Sequence, residues 1–274
     1  MAAIWTRINT LLLLLVLFAL VGVVAMLASG VRGGPLDPTT SPQPTDSVRL
    51  PGTPITGQTT INSPGHYYLT RDIVVPGSQI AITIATSNVN LDLGGFTIDG
   101  NDVNPNWGIW ISGVQTDVTI RNGTIRDFQF AIDGIDDDRV IIENINAVSN
   151  VRGLQVNDNG VISDCVVQGN TETGIFLTGL HSVVSHCVVQ SNTGDGISVA
   201  SEKNTVEFSV VTGNQAAEIR LVGPRNVVRD TVVGQQLGLR VEGTQNKILN
   251  TTCNGGGIND VSGGPTYLLN NFQC

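Results

Sequence analysis

The chain has 274 residues, 14 of them Lys or Arg against 23 Asp or Glu, which gives a formal net charge of −9. That acidity excludes a nucleic-acid partner held through phosphate contacts, and it would repel acidic polymers unless cations intervene. Only 14% of residues are charged while 32 are glycine, a balance that fits a dry, turn-rich β structure better than a helical one.

The first segment is of a different kind from the rest. Arg7 is followed by an apolar run, Ile8 to Leu27, broken only by Asn9, Thr10 and Gly22. A run of about 20 residues spans a bilayer, whereas a secretory h-region has about 7–15. Residues 1–30 are therefore expected to be a transmembrane anchor, with a signal segment cut after Gly30 as the alternative. Arg7 and Arg32 flank the run on both sides and give no orientation. Either reading puts the remainder outside the cytosol, as a membrane-anchored extracytoplasmic domain or a secreted protein. Residues 31–56 are rich in Pro, Thr and Ser and predict an extended tether.

From residue 57 to the C-terminus the chain reads as strands. Tyr67 to Leu69, Ile82 to Ile84 and Val89 to Leu93 are irregular, as the closing end of a solenoid should be. Apolar–any–apolar triplets then begin at Ile109, Ile132, Leu154, Ile175, Ile197, Ile219 and Leu239, with steps of 20 to 23 residues. A fixed period near 22 is the mark of a solenoid. Alternation over three residues means strand, because side chains at i and i+2 share a face. Stacking such strands once per period gives a single-chain parallel β-helix, all-β, behind the N-terminal apolar segment.

Each period holds three short strands. In residues 183–204 the apolar clusters are Val184, then Cys187 and Val189, then Ile197 and Val199. Asn150, Asn170, Asn192 and Asn214 recur in one turn, and Asn204, Asn226 and Asn246 in another. Their amides can hydrogen-bond along a stack, and asparagine tolerates the left-handed backbone of a sharp corner. These columns read as structural.

Asp136, Asp137 and Asp138, near Asp133 and Glu143, form the strongest acidic cluster. Oxygen-rich clusters suit Ca²⁺, and the plainer reading is a solvated loop. No other cofactor is indicated. Among the four cysteines, Cys253 and Cys274 would close a loop of about 20 residues, a cross-link worth about 3 kcal/mol. Cys165 and Cys187 occupy the same slot of adjacent coils, as two buried thiols or as a disulfide.

Two phrases carry a family resemblance: Ile61-Asn62-Ser63-Pro64-Gly65-His66-Tyr67-Tyr68-Leu69-Thr70 and Asn90-Leu91-Asp92-Leu93-Gly94-Gly95-Phe96-Thr97-Ile98. With the coil period and the asparagine columns, they make residues 57–274 resemble the right-handed parallel β-helix repeat proteins of the pectate-lyase-like superfamily. The resemblance implies a right-handed helix. It does not fix a chemistry, since the fold hosts lyases, hydrolases, epimerases, adhesins and accessory proteins. The Arg-x-Pro-x-x-Arg segment of the lyases fails at Val222 to Val227, where both arginine positions are lost. The polygalacturonase pattern fails too: Gly194-Asp195-Gly196 has no accompanying Gly-His-Gly. His66, His181 and His186 fall in different coils or slots, and no His and Cys spacing fits a metal.

The middle residues of the triplets point outward in one column: Trp110, Asp133, Gln155, Phe176, Ser198, Arg220 and Arg240, continued by Asn259. The resemblance implies that this strand lines a substrate groove. Aromatics stack on sugar rings, and carboxylate, amide and guanidinium groups bind hydroxyls or acid sugars. Trp110, Asp133, Gln155, Phe176, Arg220 and Arg240 are accordingly the candidate ligand-binding residues for a polysaccharide or cell-surface glycan. Two classes of function follow. One is a membrane-tethered rod that binds glycans or serves a structural or adhesive role. The other is a polysaccharide lyase, epimerase or hydrolase using the same face and the Asp133–Asp138 loop. Regular coils leave no long loops to build a deep cleft, which favours the first; no catalytic residue is assigned.

Overall fold

A computed structural model describes residues 52–101, 106–234 and 238–271. The apolar segment at 8–27, the tether up to residue 51 and Cys274 lie outside the described residues. No helix among the described residues is long and apolar enough to cross a membrane.

The strands form three parallel sheets that wind around one core, and from Trp107 onward each rung pairs with its equivalent about 22 residues on. The first sheet carries the triplets. Ile132, Leu154, Ile175, Ile197, Ile219 and Leu239 stand in direct register, and Ile109 and Ile258 continue the stack at its two ends. The second sheet includes Val161–Ser163, Val183–Ser185, Thr205–Glu207 and Val227–Arg229. The third includes Val166–Gln168, Val188–Gln190 and Val210–Thr212. Rungs of a parallel sheet lie about 4.8 Å apart, so a period of one strand per sheet per coil is the only one that keeps every apolar residue inward.

All seven first residues of the triplets are buried, at 1% exposure or less. Burying an Ile, Val or Leu side chain stabilises by about 1.5–3 kcal/mol. The core therefore grows coil by coil rather than around a centre. Pairing starts earlier than the sequence suggests, because Thr53–Ile55 already pairs with Tyr67 to Leu69.

The asparagine columns hydrogen-bond as expected, but their backbone does not. The left-handed residue is the one before each asparagine: Ser149, Gly169, Ser191 and Gly213 in one corner, Lys203, Arg225 and Gln245 in the other. The turn made there aims the asparagine inward, where its Oδ1 accepts the backbone N–H of its counterpart one coil earlier. Asn150, Asn170 and Asn192 donate in this way to Asn170, Asn192 and Asn214 at 2.9, 3.0 and 3.0 Å. The row ends on Glu218, fully buried, whose carboxylate accepts from Asn214 Nδ2 at 2.6 Å and from the N–H groups of Gly213 and Asn214. The buried amides of this row are tolerated because their nitrogens and oxygens find partners; in the other corner Asn204 Nδ2 has none.

Cys165 and Cys187 are free thiols, 1% exposed, and do not form the cross-coil disulfide. Each donates weakly to a carbonyl of its own corner, Cys165 to Ser163 and Cys187 to Ser185. The neighbouring Cys187 thiol, and then burial, hold the Cys165 thiol well above its usual range. Cys253 is disulfide-bonded.

Candidate functional site

The first sheet stacks the outward column as its spacing requires. Trp110 pairs with Asp133, Asp133 with Gln155, Gln155 with Phe176, Phe176 with Ser198, Ser198 with Arg220, Arg220 with Arg240 and Arg240 with Asn259. The column is not uniformly exposed, however. Asp133 is 7% exposed, Gln155 3% and Ser198 7%. Asp133 and Gln155 lie between the taller Trp110 and Phe176, and Ser198 between Phe176 and Arg220, so the small residues form a floor.

A second outward column runs beside the first and was missed by reading triplets alone. Three residues before each middle position stand Ile80, Trp107, Phe130 and Arg152, paired rung to rung. The Trp107 ring stacks on Trp110 with centroids 5.3 Å apart and on Phe130 at 6.0 Å. The Arg152 guanidinium carbon lies 5.2 Å from the Phe130 ring centre, within cation–π range. The signal was in the sequence, because these residues share the same step of about 22 as the triplets.

Asp133 sits against this aromatic platform, where its Oδ2 accepts from Trp107 Nε1 at 2.8 Å. Its Oδ1 is buried with no hydrogen-bond partner. Burial raises its pKa above the ordinary carboxylate value, and the Trp107 hydrogen bond opposes that rise.

The acidic cluster does not assemble into one site. A bulge separates its members: four steps from Gly134 to Asp138 face two from Val156 to Asp158. Asp136 is exposed on the bulge. Asp138 bonds to Arg139 and accepts from Asn159 at 2.8 Å. Asp137 turns inward to 1% exposure. A Cβ on Gly134 would make only ordinary contact with Asp137 Oδ2, at 3.6 Å, and tighter ones, at 3.3 Å, with Gln155 O and Ile111 Cδ1. The Asp137 Oδ1 accepts the Gln115 N–H at 2.6 Å, while Oδ2 has no partner. Burial lifts its pKa to about 7, helped by the neighbouring charges of Asp136 and Asp133. Among the described residues no group of three or more His, Cys, Asp or Glu side chains could hold a metal ion.

At the other end of the strip the arginines are engaged. Glu242 takes Arg220 Nε at 3.0 Å and Arg240 Nε at 2.7 Å. Arg220 also lies 3.8 Å from Asp195, and Arg152 Nε meets Glu172 at 2.5 Å. The three histidines stay apart, and His186 stacks on Phe208 at a corner remote from this strip.

Wound coils, inward ladders and one continuous outward strip define a right-handed β-helix. Residues 71–212, slightly more than half the chain, match the family described as right handed beta helix region, and the chain belongs to that family. Solved structures share the fold at low identity. The A-module of the Azotobacter vinelandii mannuronan C-5 epimerase AlgE4 is similar with a TM-score of 0.61 and 15% identity, covering 81% of this chain and 83% of its own. The Dettilon tailspike protein gives 0.63 at 13% identity over 80% of this chain and 54% of the tailspike. The periplasmic alginate epimerase AlgG gives 0.52 at 12% identity over 76% and 69%. No curated protein matches the chain in sequence.

Proposed function

We propose that the protein is a membrane-tethered, extracytoplasmic β-helix that binds a polysaccharide along the outward strip of its first sheet. The observation that carries this reading is the platform of Trp107, Trp110 and Phe130 beside the Asp133 carboxylate. Ring faces take the C–H side of a sugar, and the adjoining carboxylate and amide take its hydroxyls. Fold neighbours named as epimerases of mannuronan and alginate support a glycan partner in kind, at 15% and 12% identity. The N-terminal apolar run supports the tether. The test is retention of the full-length protein in polysaccharide gels. Trp110→Ala and Trp107→Ala should each lose retention while keeping the cooperative unfolding of the parent. Unchanged retention in both would end this reading.

A second reading, catalysis on the same face, is favoured by one observation. Asp133 at the platform and the inward Asp137, whose charges act on one another, both have carboxyl pKa values raised by burial, and paired carboxyls shifted in this way mark acid–base sites. It predicts that Asp133→Asn or Asp137→Asn abolishes polymer turnover in folded protein. Assays for new reducing ends and for the absorbance of new double bonds would detect such turnover.

A further inference from the structure

We infer that the strip takes a neutral glycan and rejects polyuronates, an inference that rests on the glycan reading above. Three guanidinium groups lie along the two outward columns: Arg152, Arg220 and Arg240. Each is already held by carboxylate, Arg152 by Glu172, Arg220 by Glu242 and Asp195, and Arg240 by Glu242. Arg220 gives both Nε and Nη2 to Glu242, and Arg152 and Arg240 are each paired through Nε, so every guanidinium on the strip already has its charge met by a carboxylate before an acid sugar arrives.

The remaining charges act in the same direction. Asp133, which shares the charge of Arg152, and the exposed Asp136 add two further carboxylates, so five acidic groups stand against three basic ones. The chain as a whole carries −9, and the long-range field repels a polyanion before it arrives. At closer range the faces of Trp107, Trp110 and Phe130 are the negative side of an aromatic quadrupole. They attract the C–H bonds of a pyranose ring and disfavour a carboxylate laid on them. A neutral hexose polymer meets none of these penalties.

The experiment is affinity electrophoresis of the full-length protein in gels holding galactomannan or laminarin, and in gels holding alginate or polygalacturonate. The neutral polymers should retard it and the uronates should not, with or without added calcium. Glu242→Gln releases Arg220 and Arg240 and should raise uronate affinity by about tenfold at low salt, with the gain lost as salt rises. Glu172→Gln releases Arg152 and gives the same readout should the first variant fold poorly. Retardation of the parent by alginate or polygalacturonate overturns the neutral-glycan inference and leaves the glycan reading standing. Retardation by none of the four polymers overturns both.

Discussion

Trp107 and Asp133 belong to adjacent coils, yet the indole Nε1 donates to the carboxylate Oδ2 at 2.8 Å. The bond fixes the one charged group on the floor of the aromatic strip and lowers a pKa that burial raises. With the backbone hydrogen bond from Ile135, it compensates part of the desolvation of this carboxylate.

Trp107→Phe keeps an aromatic ring on the platform and removes only the donor. It should cost about 1–3 kcal/mol, the usual loss when a buried charged acceptor is orphaned. It should also move the Asp133 titration further upward. Urea unfolding and carboxyl NMR titration check the two effects, and a downward move would contradict the role assigned to the indole.

Asp137 makes stability depend on pH in a set direction. Its folded pKa, about 7, lies above its ordinary value of 3.8. The folded state therefore binds the proton more tightly than the unfolded chain. The stabilisation is complete below about pH 4 and is lost as pH rises through 7. Between pH 5 and 8 the unfolding free energy should fall by on the order of 2 kcal/mol. Asp137→Asn keeps the acceptor for Gln115 and should flatten that dependence, which urea midpoints across the range would reveal. A parent protein that gains stability over this window would rule out a raised pKa.

Ile197 and Ser198 are neighbours with opposite orientation. Ile197→Asp buries an unpaired charge in the dry core and should destabilise by about 3–5 kcal/mol. Ser198→Asp stands on the outer floor between Phe176 and Arg220 and should cost less, because Arg220 lies in the next rung to receive it. Thermal unfolding of the two variants should rank them in that order.

Asn192→Ala removes the side-chain acceptor for Asn170 N and Nδ2 and the donor to Val167 O. Several buried groups lose a partner at once, so a loss of about 2–4 kcal/mol is expected. Hydrogen exchange should locate the damage at the Asn170 amide, while coils near Thr60 keep their protection.

The period of about 22 residues was enough to place the inward ladder, because a one-residue slip would have turned Ile197 out and Ser198 in. It also put Trp110 to Asn259 in one column. Reading only triplets hid Trp107, Phe130 and Arg152, since strand alternation was counted from the first apolar residue onward. The acidic run was hard to read for a different reason. Three consecutive aspartates look like one cluster, but the bulge opposite Val156 to Asp158 sends each to a separate environment. The asparagine turns were right in their bonding and one residue off in their backbone. A corner needs one left-handed residue, and the residue before the amide supplies it.

The buried amide row has a direction. From Phe128 through Asn150, Asn170, Asn192 and Asn214, every main-chain N–H points toward the next coil, and the last ones meet the Glu218 carboxylate. Aligned N–H dipoles converge on an anion there, much as they do at the start of a helix. Lengthening or shortening the rod by one whole coil within this row would leave every donor an acceptor. Excising the coil that bears Glu218 would not, so this residue marks where the repeat can no longer be cut or copied without a substitute.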